Sequence, residues 1–322
     1  MKAAILGAGG IARSMARTLN GMEDATLYAI GSRNIQKAEI FKEEFGAVKA
    51  YGSYEDLVQD PEVDLVYIAT PHSHHFEHMK LCIEHGKNVL CEKAFTANAE
   101  QARKIAALAR EKKVFTAEAI WTRYMPSRRM IDEVLSSGIV GKISMATCNL
   151  SYDIDGNARI TDPALAGGAL LDVGVYGLNF FAMHLGHGIE KMDSSVRMTE
   201  RGVDERESIT LHYDNGILAT TCHGIYGRSD RLGIFYCEKG YIVVHNINNP
   251  QSIDVYDDRD ALVQHLDVPK QITGYEYEVQ ECRRMIEEGR IESESMPLDE
   301  SIAMMEMMDR LRGDWNMKYP FE

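Results

Sequence analysis

The sequence predicts an α/β protein in which a doubly wound parallel sheet is followed by an α+β domain with a mainly antiparallel open sheet. Three observations predict this fold class. Short apolar runs alternate with helix-length segments up to about residue 118, and strand-type segments follow one another directly after about residue 140. The chain has 322 residues, enough for about two domains. We therefore expect a first domain over residues 1–119 and a second over 120–322.

Apolar runs in the first domain predict strands that are buried on both faces, as in a parallel sheet. Helical spacing and capping residues predict the segments between them. The predicted strands are Lys2–Leu6, Ala25–Ile30, Asp64–Ala69, Asn88–Cys91 and Val114–Ala117. The first predicted helix carries Ile11 to Leu19. Three others start after the caps Asn34, Ser53 and Asn98, and a further helix spans about His75–His85. Strands separated by helices of this length form right-handed parallel βαβ units.

The second domain has a different pattern, because its strand signals come in direct succession after a helix near Ser127–Ser136. Successive strands imply an antiparallel sheet. The strands are predicted over Lys142–Tyr152, Ser208–Tyr213, Ile217–Tyr226 and Tyr241–Asn246, and closing helices over Tyr275–Glu288 and Leu298–Arg312. Asn215-Gly216 predicts a type I′ hairpin turn. An open sheet face usually requires a partner, so we expect a homodimer.

The composition excludes several partner classes. The formal net charge is −14 and no Lys/Arg run exceeds two residues, which argues against nucleic acid. The most apolar stretch, Gly167 to Gly186, contains Asp172 and His184, so we expect no membrane span. The six cysteines form no C-x-x-C pair, and the N-terminus has too short an apolar run for a signal peptide. We therefore expect neither disulfides nor structural zinc, and a cytoplasmic location.

A glycine-rich turn follows the first predicted strand. Residues 7–12 fit G-x-G-x-x-A, with Gly7 at the turn, Gly9 and Gly10 next to it, and Ile11 and Ala12 opening a helix. In this context the motif predicts a dinucleotide site, because the backbone can approach a pyrophosphate at a helix N-terminus. The alternative is a turn that binds nothing.

The end of the second strand indicates which dinucleotide binds. A site that prefers NAD carries Asp or Glu there, about 20 residues after the glycines. This chain has Ser32-Arg33 instead, and an arginine can pair with a 2′-phosphate. We predict that NADP(H) is preferred over NAD(H). The alternative is a solvated arginine at the start of a helix.

Two further polar segments follow strands of the same sheet. Thr70, Pro71, His72 and His75 come after one strand, and Glu92-Lys93 comes after the next. The carboxyl ends of parallel strands are where ligands bind, so we expect these residues at the cofactor site. The histidines also raise the possibility of a metal, but no Cys/His cluster completes such a site, and we predict none.

Several spaced motifs, taken together, resemble the Gfo/Idh/MocA family of NAD(P)-dependent oxidoreductases. They are G-x-G-x-x-A at 7–12, T-P-H-x-x-H at 70–75, E-K-A at 92–94, G-G-A-L-L-D-x-G-x-Y at 167–176 and a G-x-I-type turn at 240–242. Residues 117–124, A-E-A-I-W-T-R-Y, are similar to its branch of dimeric dihydrodiol dehydrogenases and D-xylose dehydrogenases. The resemblance implies a Rossmann domain, a second α/β domain whose open sheet often mediates dimerisation, and hydride transfer at a hydroxyl-bearing carbon of a sugar, polyol or vicinal diol.

The resemblance also implies the catalytic residues, which are Lys93 and Tyr176 in this sequence. A free tyrosine has a pKa near 10, and a nearby ammonium lowers it, so Tyr176 is the expected general acid/base and Lys93 the group that tunes it. Asp172 has two open roles, hydrogen bonding to the substrate or holding Lys93. It lies four residues before Tyr176, so the two would share a face of an α-helix.

The remaining site residues are expected around that pair. Trp121 and Arg123 are expected in the wall of the substrate pocket, and His72 and His75 beside the nicotinamide. Each site residue has a structural alternative: a surface lysine at 93, a core tyrosine at 176, a helix cap at Asp172, or interface packing at 121 and 123. In the family the lysine is commonly followed by proline, often through a cis bond. Because this chain has Ala94, we expect a trans bond.

Two functions other than a dehydrogenase stay open from the sequence. One is a regulator that senses NAD(P) without turnover. The other is a glycosidase that uses transient oxidation by a tightly held cofactor. Retention of Lys93 and Tyr176 favours the dehydrogenase, because a sensor needs neither residue.

Overall fold

The computed structural model describes all 322 residues, and its first sheet is parallel throughout. Six strands pair in the order β3-β2-β1-β4-β5-β6, so the direction of winding reverses between β1 and β4. The strands are β1 Lys2–Leu6, β2 Thr26–Gly31, β3 Lys49–Tyr51, β4 Leu65–Ile68, β5 Asn88–Glu92 and β6 Thr116–Ala119. The helices between them are α1 Gly10–Gly21, α2 Ile35–Phe45, α3 Tyr54–Val58, α4 His72–Glu84 and α5 Ala99–Lys112. The predicted doubly wound parallel sheet is confirmed.

Local sequence explains where these helices begin and end. The side chains of Asn34, Ser53 and Asn98 each accept a hydrogen bond from the backbone N–H three residues later, which satisfies one of the free donors of a first turn. Gly46 ends α2 in the left-handed region, with a φ of 75°. Helix α4 begins at His72, three residues earlier than expected, because Pro71 directly before it occupies the cap position.

The second sheet has eight strands in the order β14-β13-β12-β11-β7-β10-β9-β8. Every neighbouring pair is antiparallel except β7 with β10, which confirms a mainly antiparallel sheet. The strands are β7 Ile143–Ser151, β8 Ile189–Met198, β9 Asp204–Tyr213, β10 Leu218–Gly224, β11 Gly233–Cys237, β12 Gly240–His245, β13 Ser252–Asp257 and β14 Leu262–Asp267. Its helices are α6 Pro126–Ser136, α7 Ala158–Thr161 and α8 Val175–Leu185.

The turn between β9 and β10 differs from the predicted type I′. Only Gly216 has a positive φ, of 85°, and Asn215 does not. The Gly216 N–H donates to Tyr213 O over 3.0 Å, and the Asn215 side chain accepts from the Ile217 N–H. The loop is therefore a three-residue hairpin with a left-handed glycine at its end. The left-handed conformation is needed only at Gly216, because a three-residue loop places a single residue in that region.

Two helices close the chain, α9 Glu276–Glu287 and α10 Leu298–Asp314. By its contacts the chain forms two compact units, and the first consists of Met1–Tyr124 and Gln271–Glu306. The second unit consists of Met125–Lys270 and Met307–Glu322. The division differs from two consecutive domains because α9 packs into the first unit, where Val279, Cys282 and Met285 join the core under the parallel sheet.

One segment of the second unit, Pro163–Leu185, is long and apolar enough to cross a membrane by length and composition. In this structure 89% of it is buried. Its apolar side chains form part of the core of the second unit, where Leu178 and Phe181 are completely buried. Such burial is expected of the central helix of a folded domain.

Candidate functional site

The glycine-rich turn lies between β1 and the N-terminus of α1. Gly7 has a φ of 106° and donates its N–H to Gly31 O over 2.9 Å. A Cβ at Gly7 would lie 2.9 Å from Ala69 O, at the end of the neighbouring strand β4. Position 7 therefore requires glycine for both its conformation and its close approach to β4.

The next two glycines leave open space above the helix end. A Cβ at Gly9 would meet only Ala69 O, at 4.0 Å, and one at Gly10 would meet nothing within 4 Å. Ala12 is completely buried, which lets α1 pack closely on the sheet, and Ile11 is half-buried beside it. An open glycine backbone at the start of a 12-residue helix suits an anionic pyrophosphate. The residues present fit a dinucleotide.

Arg33 follows the buried Ser32 at the end of β2 and is exposed. The Ser32 hydroxyl accepts from the Asn34 N–H, which fixes the backbone on both sides of Arg33. Arg33 makes no hydrogen bond or ion pair within the protein, so its guanidinium is available to a ligand. Its charge helps to lower the pKa of His74, which is lowered mainly by burial.

His75 connects the segments that follow β4 and β5. It is completely buried, and its two ring nitrogens lie 2.8 Å from the carbonyl oxygens of Thr70 and Ala94. Burial lowers the pKa of His75 to about 4, so the neutral ring at pH 7 donates to one carbonyl at a time. His72, 3% exposed, packs edge-on against this ring at 5.7 Å.

Lys93 follows β5, in a segment whose neighbours are held on both sides. The Ala94 carbonyl faces His75, and the Phe95 N–H donates to the Glu118 carboxylate over 3.0 Å. The Tyr67 hydroxyl donates to Glu92, the residue before the lysine. The Lys93–Ala94 peptide is cis, so the expected trans bond is wrong. The intrinsic preference of a non-proline bond is overridden here by buried partners that fix the backbone on either side.

Glu118 is a site-supporting residue that the sequence reasoning missed. It lies on β6, is 1% exposed, and its partner Phe95 is two residues from Lys93. Burial raises the pKa of Glu118 from its ordinary value of 4.5 to about 7. The signal that could have found it is a lone carboxylate among the otherwise uncharged residues 114–120.

Trp121 and Arg123 lie in a short 3₁₀ turn directly after β6. The Trp121 ring stacks on Tyr275 with centroids 4.3 Å apart, and Arg123 donates to Glu300 over 2.5 Å. Arg123 is 4% exposed, so this ion pair is largely desolvated. Tyr275 and Glu300 lie more than 150 residues away along the chain, and no local pattern predicts that they meet the turn.

Asp172 and Tyr176 lie four residues apart on one helical segment. Leu170–Gly174 forms a π-helical turn, closed by the Val175 N–H donating to Leu170 O, and α8 follows from Val175. The expected α-helix is thus replaced by a wider turn at Asp172, and Tyr176 lies in the first turn of α8. Asp172 accepts from Arg159 over 3.1 Å and lies within the helical segment rather than at its cap.

The histidines after β4 do not form a metal cluster. Nowhere in the chain do three or more His, Cys, Asp or Glu side chains converge as a metal site requires. His78 instead accepts or donates a hydrogen bond with the Thr70 hydroxyl at 3.0 Å. Burial lowers the pKa of His78 to about 4, as expected for a neutral ring on a helix face that packs into the fold.

Two family models match the chain. Residues 1–119 match "Oxidoreductase family, NAD-binding Rossmann fold", and residues 129–243 match "GFO/IDH/MocA C-terminal domain". D-xylose 1-dehydrogenase (NADP(+)) of Hypocrea jecorina is 34% identical, covering 99% of this chain and 93% of that protein. Trans-1,2-dihydrobenzene-1,2-diol dehydrogenase of Mus musculus is 32% identical, covering 98% and 97%. A 3-ketoreductase from Actinomadura kijaniata, solved with NADP and TDP-benzene, has a TM-score of 0.89 at 22% identity, covering 97% of both chains.

Proposed function

Because the chain belongs to the Gfo/Idh/MocA oxidoreductase family, we propose that it is an NADP(H)-dependent enzyme acting on a sugar, polyol or vicinal diol. The reaction is hydride transfer between the nicotinamide and a hydroxyl-bearing carbon of the substrate. Two relatives that match almost the whole chain are named as dehydrogenases of D-xylose and of a dihydrodiol. Both substrates carry neighbouring hydroxyl groups, which supports this substrate class.

The observation that carries the proposal is the pairing of an open glycine turn with Arg33. Gly9 and Gly10 leave the helix N-terminus accessible, and Arg33 follows β2 without a partner in the protein. The first feature suits a pyrophosphate and the second suits a 2′-phosphate. NADP(H) carries both groups, whereas NAD(H) lacks the second. The relative from Hypocrea jecorina is named for NADP(+).

The cofactor, when bound, accepts or supplies the hydride. Thr70, Pro71, His72, His75 and Glu92 are proposed to line its binding site, together with the glycine turn, Ser32 and Arg33. The His75 ring lies between the Thr70 and Ala94 carbonyls and donates to one of them at a time, which connects the two strand-end segments.

Tyr176 is proposed as the general acid/base that takes or returns the proton of the substrate hydroxyl. Lys93 is proposed to favour the phenolate by its positive charge and to orient the substrate oxygen. Asp172 is proposed to bind the substrate through an oxygen whose direction is set by Arg159. Trp121 and Arg123 are proposed in the wall of the substrate pocket, where their contacts with Tyr275 and Glu300 keep them rigid.

The test is a substrate screen with aldoses, polyols, vicinal diols and dicarbonyls, followed by nicotinamide absorbance with NADP(+) or NADPH. Net cofactor turnover with at least one hydroxylated substrate or its carbonyl product supports the proposal. Tight NADPH binding without turnover of any substrate would indicate a sensor instead. Release of sugar from glycosides without net change in NADPH would indicate the glycosidase reaction.

We also propose a homodimer formed through the outer face of the eight-stranded sheet. The strand registers place an apolar row across that face: Leu218, Met145, Tyr236, Tyr241, Tyr256 and Leu262. Tyr241 and Tyr256 stack at 4.8 Å, and Met145 is 47% exposed. Light scattering is expected to give twice the chain mass, and Tyr241→Glu to give a monomer. Ile40→Glu, on α2 and 60% exposed, is the control that should leave the mass unchanged.

A cytoplasmic location is proposed from the cysteines. All six are free thiols, and four of them are buried. Free thiols persist in a reducing compartment, whereas in an oxidising compartment they can form incorrect disulfides. Fractionation of cells that express the native protein tests the location.

A further inference from the structure

A cluster of polar side chains is buried beneath the helical segment that carries Tyr176. Glu207 lies on β9, Thr221 and His223 lie on β10, and Cys148 lies on β7. His223 Nε2 is 2.7 Å from the Thr221 hydroxyl, and Cys148 Sγ is 3.1 Å from the same hydroxyl. His223 Nδ1 is 3.2 Å from Glu207 Oε1, and neither side chain is exposed to solvent. The cluster therefore runs across three neighbouring strands.

The cluster lies directly against the backbone of the segment at two glycines that flank Tyr176. A Cβ at Gly174 would be 2.7 Å from Glu207 Oε1 and 3.2 Å from His223 Nδ1. A Cβ at Gly177 would be 2.1 Å from His223 Nε2 and 2.6 Å from the Thr221 hydroxyl. No other residue type fits at these two positions while the imidazole and the carboxyl stay in place.

A second carboxyl holds the other end of the same segment. Asp204, also on β9, accepts from the Leu170 N–H over 2.5 Å. Its other oxygen would be 2.0 Å from a Cβ at Gly168. Asp204 and Glu207 thus contact the beginning and the end of the π-helical turn, and Tyr176 follows two residues after that turn.

The cluster is unfavourable for stability, because it buries polar atoms that lack hydrogen-bond partners. Both carboxyl oxygens of Glu207 and one of Asp204 are buried with no hydrogen-bond partner. Burial raises the pKa of each carboxyl to about 8 and lowers the pKa of His223 to about 3, so the groups are neutral at pH 7. Apolar side chains would be cheaper to bury at the same places. A buried polar group that is not needed for stability calls for a specific explanation.

We propose that Glu207 and His223 are positioning residues for Tyr176. They fix the π-helical turn, and the turn sets the direction in which the Tyr176 side chain projects from α8. The inference rests on the proposed function, because it assumes that Tyr176 is the acid/base. Physically, the imidazole and the carboxyl fill the space over Gly174 and Gly177, so the helix cannot rotate or slide there without meeting a polar atom. Substrate chemistry depends on such placement, since a displacement of about 1 Å can cost on the order of 100-fold in rate.

The test compares Glu207→Leu, Glu207→Gln and His223→Leu. Leucine has a similar size but no polar atom, whereas glutamine keeps both the shape and a donor toward His223. We expect both leucine variants to lower kcat by about 10- to 100-fold with the Kd for NADPH unchanged. Glu207→Gln should restore kcat to within about 3-fold of the parent. Tyr213→Phe, on the same strand and with a buried hydroxyl lacking a partner, is the matched control with unchanged kcat.

Hydrogen exchange of the peptide covering residues 169–181 supplies a readout that needs no turnover. We expect faster exchange there in Glu207→Leu, normal exchange in Glu207→Gln, and unchanged exchange over residues 1–119 in both. Normal kcat in Glu207→Leu would overturn the proposal, as would equal loss in Glu207→Gln. If the leucine variants do not fold, Gly177→Ala tests the same contact, because its methyl group collides with His223, and normal kcat in that variant would also overturn it.

The two proposals fail in distinguishable ways. If the parent protein turns over no substrate, the proposed function fails, while the exchange of residues 169–181 still reports whether Glu207 holds the turn. If the parent is active and the exchange changes without any change in kcat, Glu207 is structural and the positioning role is wrong.

Discussion

The segments around Lys93 and Tyr176 are supported in opposite ways. The segment around Lys93 is held by hydrogen bonds that have both partners: His75 with the Ala94 carbonyl, and Glu118 with the Phe95 N–H. The helix of Tyr176 is held by shape, because buried polar atoms fill the space that two glycines leave open. The first segment is thus held by directional bonds, and the second, apart from the hydrogen bond of the Leu170 N–H to Asp204, by steric contact.

The two kinds of support respond differently to substitution. A hydrogen-bonded segment loses stability when one partner is removed, because the other is left buried and unpaired. A segment held by shape responds when the side chain that fills the space changes its shape, as when a branched leucine replaces the planar carboxyl of Glu207. We therefore expect removal of a hydrogen-bond partner near Lys93 to lower stability, and changes of side-chain shape near Tyr176 to act mainly on kcat.

The largest expected effect is on turnover itself, and it concerns both segments equally. Lys93→Ala and Tyr176→Phe should each lower kcat by about 10²- to 10⁴-fold, because each removes a group that serves the transfer of the hydroxyl proton. NADPH binding, followed by nicotinamide fluorescence, should stay nearly intact. Lys104→Ala and Tyr226→Phe, both at exposed positions, are the controls. Parent-like activity in either catalytic variant would remove that residue from the mechanism.

The next effect concerns the pH dependence of stability. Burial raises the pKa of Glu118 from 4.5 to about 7, so between these pH values the folded state binds a proton that the unfolded state has released. Glu118 should therefore contribute a fall of about 3 kcal/mol in the free energy of unfolding as the pH rises through this range, at 1.36 kcal/mol per pKa unit. Glu118→Gln cannot titrate and should reduce the fall between pH 5 and pH 8, measured by urea unfolding, by this contribution, while the contribution of Asp204 and Glu207 remains.

The control for this pH effect is Glu100→Gln, whose side chain is exposed on α5. It should keep the pH dependence of the parent. An identical pH dependence in Glu118→Gln and the parent would show that the Glu118 carboxyl does not titrate differently in the folded state, and the description of a directional, titratable support beside Lys93 would then be wrong.

A smaller effect concerns the cofactor alone. Arg33→Ala should raise the Kd for NADPH by about 10- to 100-fold, the value of one or two hydrogen bonds to a charged group, and leave the Kd for NADH unchanged. Lys37→Ala, exposed one turn further along α2, is the control. The measurement is fluorescence titration with both cofactors. Equal weakening of NADPH and NADH would assign Arg33 to the pyrophosphate or to the fold instead of the 2′-phosphate.

The smallest effect compares two buried tyrosines, one in each unit. Tyr67→Phe removes the hydroxyl that donates to Glu92 and should lower the free energy of unfolding by about 1 kcal/mol. Tyr213→Phe removes a buried hydroxyl that has no partner and should leave stability unchanged or slightly raised. Urea unfolding of both variants tests the contrast. If both variants lose the same free energy of unfolding, the hydrogen bond from Tyr67 to Glu92 contributes no more to stability than the unpartnered hydroxyl of Tyr213.

Local patterns predicted the elements of the first unit well. The apolar runs placed five of its six strands to within about two residues, and the three-residue strand β3 was not predicted. Asn34 caps the start of α2 as predicted, because capping depends on residues only three or four apart. The residues that follow strand ends were found for the same reason, because in a parallel sheet the chain order itself places them on one edge.

Contacts between distant residues were not predictable in this way. Tyr275 reaches Trp121 across more than 150 residues, and Glu207 and His223 reach the Tyr176 segment from strands that follow it. The helix α9 was predicted, but no local pattern in residues 1–119 indicates that it packs into the first unit. The sequence indicates such a contact only where a carboxylate interrupts an otherwise uncharged stretch, because a buried carboxylate needs a polar partner from elsewhere in the chain.

From residue type and short spacing alone, the sequence predicted the fold class, the dinucleotide turn and Arg33 as the candidate partner of a 2′-phosphate, while the candidate pair Lys93 and Tyr176 came from the resemblance to the family. Only the tertiary structure decided the cis bond after Lys93, the π-helical turn before Tyr176 and the carboxyls that support each segment. Backbone preferences of single residues differ by only a few kcal/mol, and packing by distant partners is large enough to override them.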